Sequence, residues 1–196
     1  FIEIFTVATE DNYGIDTSNT YFDCTNFYFE IDKETDFKRK GPSKENRKDP
    51  IVGMGLLLDA NMIPIGMRMF PGNESEKPVL RETVSSLKER NNIEGRTIQI
   101  ADKGLNCAQN IIEAVNNNDG YIFSKSIKQL KDKEKLWALL DDGFVEVKGR
   151  NGNLLYKYKS CIDDFKYEYT DKDGHKVSKT IKEKRVVTYN PKLAKK

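Results

Sequence analysis

Tyr21-Phe22-Asp23-Cys24-Thr25 and Ile100-Ala101-Asp102-Lys103-Gly104 are the two stretches on which the reading of this chain turns. In each, an aspartate closes an apolar, strand-like run: Thr20-Tyr21-Phe22 before Asp23, and Thr97-Ile98-Gln99-Ile100-Ala101 before Asp102. The ends of strands in an α/β sheet hold side chains rigidly, beside loops that leave room for a substrate. Two carboxylates from neighbouring strands can share a divalent ion. Mg²⁺ takes oxygen ligands and commonly binds one or two carboxylates plus substrate phosphate. Two such ions about 3.5–4 Å apart clamp both oxygens of an in-line phosphoryl displacement. Two readings are therefore open: a metal-dependent phosphoryl-transfer site on Asp23 and Asp102, or two aspartates that merely cap a strand or the helix that follows.

Working outward, residues 20–31 read as a strand with an irregularity near Thr25-Asn26. Residues 51–58 and 63–70 read as a hairpin joined by Asp59-Ala60-Asn61-Met62, its first strand apolar enough to be buried on both faces. The spacing of Leu80, Val84 and Leu87 predicts a helix from Glu76 to about Asn92, with Ser75 as cap and Pro78 in the first turn. A strand is predicted at 97–101. Cys107 to Asn116 reads as a helix with Asn106 as cap, and Tyr121-Ile122-Phe123 as a short strand. Beyond Ser124 the pattern changes. Lys128 to Leu140 reads as a short helix. Alternating runs follow at 144–147, 154–158, 165–169 and 177–189, and Asn151-Gly152 and Asp173-Gly174 are hairpin signals between them. Tyr156, Tyr158, Tyr167 and Tyr169 are read as one packed sheet face, with stacking on unpaired bases as the alternative.

Several blocks recur in one order: Tyr21-Phe22-Asp23-Cys24-Thr25-Asn26-Phe27-Tyr28-Phe29-Glu30, the basic Gly41-Pro42-Ser43-Lys44 loop, the 51–66 hairpin, Phe70-Pro71-Gly72-Asn73, and Ile100-Ala101-Asp102-Lys103-Gly104. Together they resemble the DDE transposases of bacterial insertion sequences, and Lys184 to Pro191 is similar to the same family. The resemblance implies a ribonuclease H-like mixed sheet with flanking helices, plus a β-rich insertion. In that fold the first and fourth strands are neighbours, which would bring Asp23 and Asp102 together.

The family's catalytic set is Asp, Asp and Glu. The glutamate sits in a Tyr-x-x-Arg-x-x-Ile-Glu-like stretch on a helix after the insertion. No such stretch occurs here, so the third carboxylate is expected beyond this chain. On this reading residues 1–19 connect to an N-terminal region, 20–124 form an incomplete catalytic core, and 125–196 are the insertion and the start of the return to the core. The implied cofactor is Mg²⁺, with Mn²⁺ as substitute. The implied partner is double-stranded DNA at transposon ends and target, with self-association of the full-length protein and a bacterial cytoplasmic, nucleoid-associated setting. Lys44, Arg47, Lys48 and Lys103 are candidate phosphate contacts, or simply solvated side chains. Rival readings are a ribonuclease H-like nuclease or resolvase, and a catalytically dead remnant that binds DNA.

Composition narrows the choice further. No apolar run approaches the roughly 18 residues of a membrane helix. Net charge is +2, but it is unevenly spread: residues 1–124 carry 14 Lys and Arg against 20 Asp and Glu, and residues 125–196 carry 19 against 11. An acidic region suits metals and a basic one suits phosphates; lysines that only solvate a small β region would give the same count. Cys24, Cys107 and Cys161 are widely spaced with no Cys-x-x-Cys, which excludes a zinc ribbon and fits a reducing compartment. His175 is the only histidine and lies far from Cys24 in sequence. Cys24 therefore reads as a core residue rather than a nucleophile.

Overall fold

The computed structural model describes residues 2–42, 48–90, 95–171 and 173–194. The chain divides into two compact units, residues 1–125 and 126–196.

The first unit begins with a helix, α1 (Ile2–Tyr13), within the stretch expected as a connector. Gly14, at φ +71°, ends it in the left-handed conformation that glycine adopts most readily. Thr6 and Thr9 are buried, and the Thr6 hydroxyl donates to the Ile65 carbonyl at 3.3 Å. There follow β1 (Asn19–Tyr28), β2 (Ile51–Leu58), β3 (Pro64–Pro71), α2 (Glu76–Arg90), β4 (Ile98–Ala101), α3 (Ala108–Asn116) and β5 (Gly120–Phe123). The five strands form one sheet in the order β3-β2-β1-β4-β5. β1/β2 and β2/β3 are antiparallel, and β1/β4 and β4/β5 are parallel. This mixed sheet with flanking helices is a ribonuclease H-like α/β fold.

The core follows from alternation in the strands and from a helical stripe. Phe22, Cys24, Leu57 and Phe70 meet Val79, Leu80, Val84 and Leu87 of α2. Two glycines make room for this packing. A Cβ on Gly53 would lie 2.2 Å from the Phe70 ring, and one on Gly55 would lie 2.5 Å from the Phe22 ring. The irregularity expected near Thr25-Asn26 is absent, because β1 pairs with β2 in unbroken register from Tyr21 to Tyr28. The shift falls instead between Leu57 and Leu58 opposite β3, where Pro64 has no N–H for the ladder.

Two buried aspartates organise the sheet's connections. Asp59 Oδ1 accepts the Asn61 and Ile63 N–H groups, both at 2.8 Å, and so shapes the β2–β3 turn. Asp119 lies before β5. It accepts from Lys88 at 2.5 Å, from the Thr97 N–H at 3.1 Å and from the Gln99 amide at 3.1 Å. These bonds tie α2 to the start of β4.

The second unit holds a 3₁₀ turn (Ile127–Gln129), α4 (Asp132–Leu139), β6 (Val145–Lys148), β7 (Leu154–Thr170), β8 (Lys176–Tyr189) and α5 (Pro191–Ala194). The single helix expected from Lys128 to Leu140 is thus a turn and a shorter helix. The runs at 154–158 and 165–169 are parts of one 17-residue strand. β6 pairs with β7 only as far as Tyr158, while β7 and β8 stay paired to the Thr170–Lys176 end. The unbroken strand overturns the expected single tyrosine face. Tyr158 and Tyr167 are an odd number of residues apart, so with no bulge between them they lie on opposite faces.

One face of this second sheet is packed by a network of charged and aromatic groups. Arg185 donates to Glu183 at 2.7 Å, pairs with Glu134 of α4 at 2.8 Å, and lies 3.3 Å from the Phe165 ring centroid. The Tyr167 hydroxyl donates to Glu183 at 2.6 Å. Burial, reinforced by that bond, pushes the Tyr167 phenol well above its ordinary pKa. Burial opposes the Arg185 charge, but bonds to Glu183, Tyr167 and Glu134 outweigh it and push the guanidinium up. Lys159 is buried beside Trp137 and Phe144, and donates to the Leu140 carbonyl at the C-terminal end of α4.

Candidate functional site

The parallel ladder between β1 and β4 places the two motif aspartates. Its last register pair is Phe22↔Ala101; Asp102 is the first residue after β4, whereas Asp23 does not close its strand as expected, because β1 runs on to Tyr28 paired with β2. Adjacent strands are about 4.8 Å apart, so the two residues stand side by side at the end of the β1/β4 ladder. Phe22, Cys24 and Ala101 are buried in the core, whereas Asp23 and Asp102 are exposed. Cys24, only 1% exposed, is a core residue as its alternation with Asp23 predicts.

Each carboxylate has one oxygen bonded by nearby backbone. Asp23 Oδ1 accepts the Cys24 N–H at 2.8 Å, and Asp102 Oδ1 accepts the Gly104 N–H at 2.8 Å. The turn after Asp102 is fixed from below. Leu105 is buried in the core, Asn110 donates to its carbonyl at 2.7 Å, and Arg81 of α2 donates to Asn110 at 2.5 Å. Asn106, expected to cap α3, donates instead to the Ser124 carbonyl at 3.0 Å. Cys107 occupies the cap position without a side-chain bond. Sequence reasoning missed this buttress. A buried Asn in the first turn of α3 carries no periodicity that marks it.

Among the candidate phosphate contacts, Lys48 and Lys103 are exposed, and Lys44 and Arg47 lie outside the described residues. The donor set suits a hard divalent ion: two exposed carboxylates, one on β1 and one just after the neighbouring β4, supplying oxygen only. Among the described residues, the one cluster of three His, Cys, Asp or Glu side chains close enough to hold an ion together is elsewhere. It comprises Asp171, Asp173 and His175, with ligand atoms within 4.8 Å of one another in the turn between β7 and β8. The turn itself accounts for part of that grouping, because Asp171 Oδ1 accepts the Asp173 and His175 N–H groups. Among the described residues, no helix is long and apolar enough to cross a membrane.

No family model and no curated protein matches the sequence. Among solved structures, the chain is similar to the Mos1 transposase paired-end complex with left transposon end, at 13% identity and a TM-score of 0.38, covering 61% of this chain and 39% of that one. It is also similar to the piggyBac transposase synaptic complex with hairpin DNA, at 11% identity and a TM-score of 0.42, covering 83% of this chain and 32% of that one. The chain thus spans well under half the length of either.

Proposed function

We propose that this chain is part of a DDE transposase of the insertion-sequence type, which cleaves and joins DNA strands by metal-assisted phosphoryl transfer. The observation that supports the reading is the β1/β4 register, whose last pair, Phe22↔Ala101, immediately precedes Asp23 within β1 and Asp102 just after β4. In this reading Asp23 and Asp102 are the first two metal ligands, and a glutamate outside the chain is the third. Mg²⁺, or Mn²⁺ in its place, would supply Lewis-acid stabilisation of charge on the phosphate oxygens when bound there. The chain's own part is to hold the two carboxylates: the Cys24 and Gly104 N–H groups each fix one oxygen, and Leu105 and Asn110 anchor the loop beneath Asp102. Lys44, Arg47, Lys48 and Lys103 would neutralise backbone phosphates of double-stranded DNA. Residues 20–124 would be the catalytic core, 125–196 its β-rich insertion, and 1–19 the connector. Self-association of the longer protein in the bacterial cytoplasm belongs to the same reading.

One observation favours a second reading, a DNA-binding module without catalysis: residues 126–196 carry 18 Lys and Arg against 11 Asp and Glu, a balance that suits phosphates without any carboxylate chemistry. The test pairs strand cleavage in Mg²⁺ with duplex binding across a salt series, on this chain and on a longer polypeptide that contains it. The expected result is no cleavage by this chain, salt-sensitive binding by both, and cleavage by the longer protein that Asp23→Ala abolishes. Salt-insensitive binding, or none at low salt, contradicts the DNA assignment. A longer protein that binds but never cleaves leaves the second reading standing.

A further inference from the structure

Strand parity exposes a second surface with its own chemistry. On β7, Lys157, Lys159, Phe165 and Tyr167 face the charged and aromatic packing described above, so Tyr156, Tyr158 and Ile162 occupy the other face. That face is open: Tyr156 is 41% exposed, Tyr158 36% and Ile162 63%. Val145 pairs with Tyr158 from β6, and Val186 pairs with Ser160 from β8; both are exposed on the same side. The two tyrosine rings are 6.4 Å apart between centroids and tilted by 40°, so neither covers the other.

Further along, Ile162 pairs with Lys184 and Asp164 with Lys182. Lys166 and Lys176 share this face, against Asp164 and Glu168. The unit as a whole is cationic, with 18 Lys and Arg against 11 Asp and Glu over residues 126–196.

We propose that this open face is a platform for single-stranded nucleic acid, with Tyr156 and Tyr158 stacking on unpaired bases and Lys182 and Lys184 meeting the phosphates. Stacking on an exposed aromatic tolerates any base, because every base presents a π-face, and an open β-sheet with paired aromatics is a suitable support. Duplex DNA hides those faces within its own stack. Four residues of β7 separate Tyr158 from the level of Lys184, about 13 Å of strand, which lets one extended oligonucleotide reach both. An apolar strip beside lysines and within a cationic unit suits a polyanion with flat bases better than an uncharged protein surface does. The inference shares only its class of partner with the proposed function and does not involve the carboxylates.

The experiment is fluorescence anisotropy of a labelled oligo-dT with the 196-residue chain, against a duplex of the same length. The expected result is a single-strand preference that Tyr156→Ala/Tyr158→Ala weakens about tenfold or more. Tyr156→Phe/Tyr158→Phe should stay within about twofold, since phenylalanine still stacks. Lys182→Ala/Lys184→Ala should lower the slope of log affinity against log salt by about 1.4, at roughly 0.7 per phosphate on single strands. Circular dichroism and melting confirm that each variant folds. Oligonucleotide affinity untouched by Tyr156→Ala/Tyr158→Ala overturns the proposal, as does a preference for duplex. Self-association abolished by those substitutions while oligonucleotide binding persists overturns it too, and assigns the face to a second copy of the chain.

Discussion

The two units of this chain both rest on β-sheet, yet different forces hold them. In residues 1–125 the sheet buries Phe22, Leu57, Ile65 and Phe70 against Val79, Leu80, Val84 and Leu87. Each large aliphatic or aromatic side chain removed from water contributes about 1.5–3 kcal/mol. In residues 126–196 the corresponding position is taken by Arg185, Glu183, Glu134 and Tyr167, with Lys159 set against Trp137 and Phe144. Such groups repay their desolvation only when every partner is in place. The first unit should therefore be robust towards pH and salt and sensitive to shape. The second should be the reverse. Trp137 is the only tryptophan and lies in the second unit, so its fluorescence follows that unit while far-ultraviolet circular dichroism follows both.

The largest effect is expected where the first unit departs from its own rule. Asp119→Ala leaves Lys88 without its buried partner and the Thr97 and Gln99 donors without their acceptor. A loss of about 3–5 kcal/mol is expected, seen in chemical denaturation by circular dichroism but not by Trp137 fluorescence. A loss seen equally by both probes would mean that the units unfold together. Arg185→Ala is the matching break in the second unit. It uncouples Glu183 and Glu134 and uncovers the Phe165 ring. The cost should be about 2–4 kcal/mol, because these groups keep some exposure, and it should appear in Trp137 fluorescence.

Smaller effects sharpen the contrast between shape and charge. Gly55→Ala drives a methyl group into the Phe22 ring and should cost the first unit about 1–3 kcal/mol by overpacking, with no dependence on pH. The second unit should respond to alkali. The Tyr167 phenol is held above its ordinary value, so the folded form keeps a proton that the unfolded form loses. Its contribution is fully present below pH of about 10 and is lost as pH rises through the folded value. Tyr167→Phe should flatten that alkaline decline in the Trp137 signal. An unchanged decline would assign it to other groups.

What could be read from the sequence divides along the same line. The first unit's strands, the α2 stripe and the inward Cys24 follow from periodicity, because burial of apolar surface writes a period into the chain. The ribonuclease H-like class came from the order of elements and motifs. α1 carries no apolar stripe that would announce it: among its described side chains, the buried ones are Thr6 and Thr9. The second unit was harder. Its inward residues include Lys157, Lys159, Glu183 and Arg185, which in sequence look like solvated positions. Read that way, β7 breaks into two short runs and its tyrosines fall onto one face. At the candidate site the aspartates stood out in sequence. The Leu105–Asn110–Arg81 support beneath Asp102 did not, since it exists only once α2 and α3 meet.

The central claim is that Asp23 and Asp102 act together as ligands of one divalent centre. Mn²⁺ titration followed by electron paramagnetic resonance, on the wild-type chain and on Asp23→Asn, Asp102→Asn and Asp171→Asn, tests it most directly. The account predicts that either of the first two substitutions weakens binding about tenfold or more, as loss of one of two carboxylate ligands should, and that Asp171→Asn leaves it intact. Binding that survives both Asp23→Asn and Asp102→Asn but disappears in Asp171→Asn would place the ion in the β7–β8 turn and contradict the claim.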